Sequence, residues 1–336
     1  MANYQSLEEL IKIDSPSGFT EKADQYVYNL LYSLGYQPAY TRKGAVKCNL
    51  GQNPKLVIAA HVDTLGAIVS EINPDGSLAF SLVGSPSLND IEGEHVRIYT
   101  IHDKVFSGTV LLKNPSKHAN KDLTTITRSN ENMFIRLDEE IKNKQDTTAL
   151  GIRPGDFVCL ETHYQELDNG FIKSRFLDNK AGCFVLFELA KRLKGNEKNI
   201  PVELFFSNYE EVGHGAAGGF VDSIEEMLVI DMGVVGKGVV GDEYSCSVCA
   251  KDTSGPYDYT MRKNLVKLAE ANRIPYQVSV YPYYSSDGTA AWRAGNQFRV
   301  ALIGQGVSAS HGSERTHKKA IEATIDLCLA YINSKI

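Results

Sequence analysis

Phe176-Leu-Asp-Asn-Lys-Ala-Gly-Cys183 places one acidic side chain, Asp178, ahead of a long apolar helix running from Phe184 to Leu193. An Asp at such a junction has two readings. It can cap the helix, its carboxylate accepting from the first free backbone amides. It can also be a carboxylate shared by two metal ions. The second gains weight from the flanking sequence, where ligand-type side chains recur at the ends of predicted strands. An open α/β sheet puts its active site there.

Upstream, Leu56-Val-Ile-Ala-Ala60 is a continuous apolar run, suited to a central strand covered on both faces, and it leads into His61-Val-Asp63. Before it, Ser6-Leu-Glu-Glu9 matches a capping box opening a helix with Leu7, Leu10 and Ile11 on one face. A second helix starts near Thr20, carries Ala23, Val27, Leu30 and Leu31, and stops at Gly35; Val46 to Leu50 reads as a strand.

Downstream the alternation continues. Helix Ala181–Leu193 leads to strand Val202–Ser207, the loop Asn208–Gly219 and strand Met227–Ile230. Helix Tyr257–Asn272, strand Tyr276–Val280, helix Gly288–Ala294, strand Arg299–Ile303 and a C-terminal helix from about Thr316 follow. Between the flanks the texture differs. Short alternating segments, such as Ala67 to Ile72 and Val105 to Leu112, are separated by turns such as Asn73-Pro-Asp-Gly76, which predicts a small barrel or sandwich. Ser116 to Asn132 is polar and turn-rich. The predicted fold is therefore α/β, a mixed sheet sandwiched by helices, with an inserted small β-barrel domain. The discontinuous α/β domain takes residues 1–65 and 166–336, and the insertion takes 66–165.

Composition narrows the function. A chain of 336 residues with 43% apolar and 23% charged residues has ample core for one large domain or two unequal ones. A formal charge of −6 argues against nucleic acid or an anionic membrane surface as main partner. The N-terminus shows neither a basic nor an apolar signal region, and no apolar run approaches the ~20 residues of a membrane span. The six cysteines include one C-x-x-C, Cys246-Ser-Val-Cys249, without the second pair of a zinc ribbon. They read as buried reduced thiols of a cytoplasmic protein.

Five positions line up as ligands: His61, Asp178, the pair Glu210-Glu211, Asp231 and His311. Each follows a predicted strand or opens a helix, and imidazole nitrogen with carboxylate oxygen suits a zinc-type divalent ion. Singly, each is more often a loop charge or a satisfied histidine. Glu210 and Glu211 would face opposite ways within a strand, so both serve one site only beyond its end, where Gly213 and Gly215 loosen the backbone. One carboxylate shared by two ions, with one His and one further carboxylate on each, leaves the open positions a catalytic site requires.

His61-Val-Asp63, Leu177-Asp-Asn-Lys-Ala-Gly182, Tyr209-Glu-Glu-Val-Gly213, Ile230-Asp-Met-Gly233 and His311 resemble, in order, the motifs of the M42 family of dinuclear metallo-aminopeptidases, the glutamyl aminopeptidase and TET-like enzymes of the zinc-exopeptidase clan. The insertion, ending in Leu150-Gly-Ile-Arg-Pro-Gly-Asp156, looks like that family's barrel dimerisation domain. The resemblance implies that Asp178 bridges the metals, His61 and Asp231 complete one ion's set, and Glu211 and His311 complete the other's. It implies Glu210 as general base and Asp63 as the residue orienting His61. It further implies two divalent ions per chain (zinc, with cobalt or manganese as alternatives), peptide substrates with a free N-terminus, and a homo-oligomer, either a dimer or a larger shell.

Three departures stand out. Asn179 replaces an Asp common in relatives, beside a peptide often cis in the clan. Ser310-His311-Gly-Ser-Glu-Arg-Thr-His317 replaces the usual His-Ser-Pro and is similar to a subgroup linked to small-peptide or osmoprotectant metabolism; His317 is an alternative ligand, though it fits a helix start better. Tyr283 to Thr289 lies where relatives shape a specificity pocket, with a helix N-cap by Asp287 as the equal alternative. Two rival functions remain: a glycosidase using paired carboxylates, which leaves both histidines unexplained, and a non-catalytic assembly protein that kept the fold.

Overall fold

Strand Leu56–His61 is buried along its whole length because it lies between two parallel neighbours. Val202–Ser207 pairs it on one side and Glu226–Ile230 on the other, and Glu226–Ile230 in turn pairs parallel with Arg299–Ser308. Leu56, Ile58 and Ala60 pack into one core, whereas Val57 and Ala59 pack into a second on the opposite face. A strand apolar on both faces needs two cores, which accounts for its unbroken hydrophobic run.

The computed structural model describes residues 3–195 and 200–335. It divides into two units, Met1–Thr64 with His163–Ile336, and Leu65–Thr162. The first is the α/β unit. Its sheet of 12 strands mixes parallel centre and antiparallel edges, Val46–Asn49 pairing antiparallel with Val202–Ser207 and Cys246–Lys251 antiparallel with Arg299–Ser308. Helices Gln5–Ile11, Glu21–Ser33, Leu177–Leu193, Tyr259–Asn272 and Lys318–Asn333 contribute apolar faces to the core on the Leu56 side. The second unit is a closed antiparallel barrel of strands Gly66–Ile72, Leu78–Val83, Met133–Leu137, Val105–Leu112, His95–Tyr99 and Phe157–Leu160. Its strands alternate as the sequence does, with Met133, Ile135 and Leu137 buried and Arg136 exposed. Barrel rather than sandwich is the outcome, because the six strands pair around a full circle and leave no edge.

Several local expectations give way. The capping box at Ser6 does not form: the helix begins two residues earlier, at Gln5, with Tyr4 at its N-cap and no side-chain cap. Asp178 caps nothing. Leu177–Leu193 carries a break at Asp178 and Asn179, where the joining peptide is cis. Arg299–Ser308 runs five residues past its predicted end and is followed by a short strand, Glu314–His317. Cys246 and Cys249 lie on one strand and enter opposite cores, so the C-x-x-C spacing cannot bring the two thiols together; all six cysteines are free and buried.

Candidate active site

The strand register sets the site. His61 ends its strand level with Ser207 of one neighbour, while Ile230 ends the other. Ligand-type side chains therefore leave the carboxyl ends of three adjacent parallel strands. Glu210 and Glu211 lie three and four residues beyond Ser207 in a short 3-10 turn, Glu210–Val212, past the end of the strand. Tyr209 and Gly213, which bracket it, both take positive φ, 85° and 81°. Asp231 follows Ile230 directly, and His311 sits in the turn after Ser308.

These side chains converge. His61 Nε2 lies 3.3 Å from Asp178 Oδ1 and 3.7 Å from Glu210 Oε2. His311 Nε2 lies 3.6 Å from Asp178 Oδ2 and 3.7 Å from Glu211 Oε2. Two sets of ligand atoms, each mutually within 4.8 Å, emerge: His61, Asp178 and Asp231, then Asp178, Glu211 and His311. Asp178 belongs to both, facing one set with each oxygen. Five of the predicted residues thus fall into two groups, with Glu210 beside the first.

Electrostatics show what the cluster lacks. Burial, then the nearby carboxylates, push Glu210, Glu211 and Asp231 well above the usual carboxyl range. Burial works against ionised Asp178 too, but hydrogen bonds from His311 and His61 overcome it and hold its pKa below normal. Burial alone would depress the His61 pKa; Asp178 and Asp63 at the ring, with Glu210 nearby, raise it well above 6.5. Buried carboxylates this close cannot ionise together without added positive charge. Glu211 Oε1, moreover, is buried with no hydrogen-bond partner. Imidazole nitrogens and crowded carboxylates, one with an orphaned oxygen, are a donor set suited to divalent cations.

A supporting frame surrounds the cluster. His61 Nδ1–H donates to the Asp63 carbonyl at 3.0 Å, leaving Nε2 toward Asp178. The Asp63 carboxylate accepts from the Glu210 and Glu211 amides at 3.1 and 3.2 Å and from Ser17 Oγ at 2.5 Å. Asp63 thus holds both the imidazole and the turn of the two glutamates. Glu314, not singled out from sequence, accepts from the amides of Asp178 and His311, each at 3.0 Å. Its place three residues after His311 was the available signal. Asn179 Nδ2 donates to Ile230 O at 2.7 Å, joining the Asp178 break to the strand that delivers Asp231. Lys180, fully buried, donates to the carbonyls of Leu10 and Ile13 at 2.9 and 2.5 Å.

Two alternatives are corrected. His317 is not part of the cluster: its Nδ1 accepts from Lys319 N at 3.0 Å, capping helix Lys318–Asn333, while Nε2 donates to Asn169 O. Nor does Asp287 cap its helix. Ser286 does so, in a capping box with Thr289.

The unit thus combines a mixed α/β sheet, helices on its faces and a largely buried histidine–carboxylate cluster at the strand ends, and the chain carries an inserted closed barrel. Residues 44–327 match the peptidase family described as M42 glutamyl aminopeptidase, and the chain belongs to that family. It is a hydrolase, an aminopeptidase-type exopeptidase. The protein named "Putative aminopeptidase YhfE" of Bacillus subtilis (strain 168) is 41% identical over 98% of this chain and 96% of its own length. The TET1 peptidase of Pyrococcus horikoshii superposes with a TM-score of 0.86 at 22% identity, over 98% of each chain. The TET aminopeptidase of a Thaumarchaeota archaeon gives 0.88 at 20%, over 98% and 95%.

Proposed function

We propose that this aminopeptidase is dinuclear and metal-dependent, cleaving the N-terminal residue from peptides, with Glu210 as general base. The observation carrying this reading is that Asp178 stands in both ligand triads, one oxygen toward His61 and the other toward His311. His61 and Asp231 would hold one divalent ion, Glu211 and His311 the second, and Asp178 both; zinc is the first candidate, cobalt and manganese the alternatives. Two such cations would acidify a water and polarise the scissile carbonyl.

The chain's own groups supply the remainder. Glu210 is in neither triad yet reaches to 3.7 Å from His61, so its carboxylate is free to take the proton of the attacking water. It then returns that proton to the leaving amine. Asp63, bonded to the amides of Glu210 and Glu211, fixes their backbone as the charge moves. The P. horikoshii relative assembles into a tetrahedron or a large octahedral shell. We infer a homo-oligomer here too, with the barrel mediating dimers.

Glu210→Gln is expected to abolish hydrolysis of aminoacyl chromogens and short peptides while metal analysis still finds near two ions per chain. Full activity in that variant sinks the base assignment; fewer than two ions in the wild type sinks the dinuclear one.

A further inference from the structure

Between Ser207 and Ala216 the chain leaves the sheet, makes the turn bearing Glu210 and Glu211, and returns to the interior. Asp287, 1% exposed and in the first turn of helix Asp287–Arg293, touches both ends of that excursion. Ser207 Oγ donates to Asp287 Oδ2 at 2.5 Å and the Ala216 amide donates to Oδ1 at 2.7 Å. Ser207 and Ala216 are themselves fully buried. At Gly215 the approach is closer still, since a Cβ there would stand 1.8 Å from Asp287 Oδ1. Lys43 Nζ grips the same segment from outside, donating to the carbonyls of His214 and of Gly215, the latter at 2.6 Å.

We propose that Asp287 is a positioning residue for the hydrolysis, clamping the two ends of the Ser207–Ala216 excursion so that Glu210 and Glu211 are presented in register with the cluster. This rests on the reading of those two glutamates given above. The excursion has little regular pairing of its own, and Tyr209 within it holds a left-handed backbone that side chains rarely adopt. Such a conformation persists only where its surroundings over-determine it. Asp63 supplies one constraint, on the amides at the centre. Asp287 supplies another, on the ends, and does so with acceptor oxygens rather than with charge. An amide can replace it: the asparagine oxygen accepts from Ala216 while its NH2 donates to Ser207 Oγ.

The test compares Asp287→Ala, Asp287→Asn and Ser207→Ala with wild type and Glu210→Gln, all loaded with saturating zinc. Aminoacyl chromogen kinetics and amide hydrogen exchange of residues 208–215 are the readouts. Asp287→Ala should lower kcat roughly 10- to 100-fold, the range for losing an outer support of a metal site, with KM nearly unchanged. Exchange should quicken in 208–215 and stay slow in the central strands. Ser207→Ala, which loses one contact of two, should fall between. Asp287→Asn should keep most of the wild-type kcat. Wild-type kcat and exchange in Asp287→Ala would overturn the proposal, and so would equal losses in the Asn and Ala variants, which would make charge the cause. Because exchange is read without turnover, an active Glu210→Gln would remove the base assignment without altering what exchange says of Asp287.

Discussion

At the scale of single residues, the chemistry is divided between groups that face the cluster and groups that hold them. Asn179 shows why the second kind is exacting. Its Nδ2 donates to Ile230 O and its Oδ1 accepts from Gly182 N at 3.2 Å, so both ends of the amide are used. An ionised carboxylate there would set an acceptor oxygen against the Ile230 carbonyl. Asn179→Asp should therefore destabilise the fold by about 1–3 kcal/mol, the usual cost of a buried group left without its partner. The loss should shrink at acid pH, where the carboxyl can carry a proton and donate it to Ile230 O. Thermal unfolding of wild type and variant at pH 5 and pH 8 checks this; equal losses at both would refute it.

At the scale of elements, strand Val202–Ser207 carries an anomaly in its interior. Glu203 is fully buried, neither carboxylate oxygen has a hydrogen-bond partner, and Lys47 Nζ stands 3.9 Å away. Burial, only partly offset by Lys47, lifts its pKa from 4.5 to about 7. A carboxyl whose folded pKa is raised binds more protons folded than unfolded, so stability falls as pH rises from 4.5 to 7 and then levels. Glu203→Gln removes that dependence and should stabilise the protein at pH 8 relative to wild type, by at most about 3 kcal/mol for a shift of this size. Near pH 5 the two should nearly coincide, and calorimetry at both pH values decides it. On the same sheet, Gly304 lies where a Cβ would meet the Asp231 carbonyl at 1.7 Å. Gly304→Ala should push apart the strands that deliver Asp231 and lower both expression and metal content.

At the scale of the whole molecule, a site built of mutually repelling carboxylates couples folding to cation binding. Chelation should abolish activity and lower the unfolding midpoint, and added zinc, cobalt or manganese should restore both. A ligand at a hundredfold its dissociation constant contributes about 2.7 kcal/mol. An unchanged midpoint after complete metal removal would contradict that coupling. Light scattering on the native protein tests the assembly: a mass at or above two chains is expected, and a monomer at micromolar concentration would exclude it. Among the described residues, no helix is long and apolar enough to cross a membrane.

Sequence alone was enough for the elements whose pattern is local. The both-face apolar run of Leu56–Ala60, the helix after Asp178 and the alternation of the barrel strands each answer to a periodicity or a burial requirement that neighbouring residues reveal. The residues that cluster could be picked out as a group, although singly each is more often a loop charge or a satisfied histidine. What lay outside its reach was anything resting on contacts distant along the chain. The grip of Glu314 on Asp178 and the clamp of Asp287 across Ser207 and Ala216 depend on which strand ends meet. Side chains 80 or 136 residues from their partners carry no local signature of meeting; only the register of the folded sheet brings them within hydrogen-bonding distance.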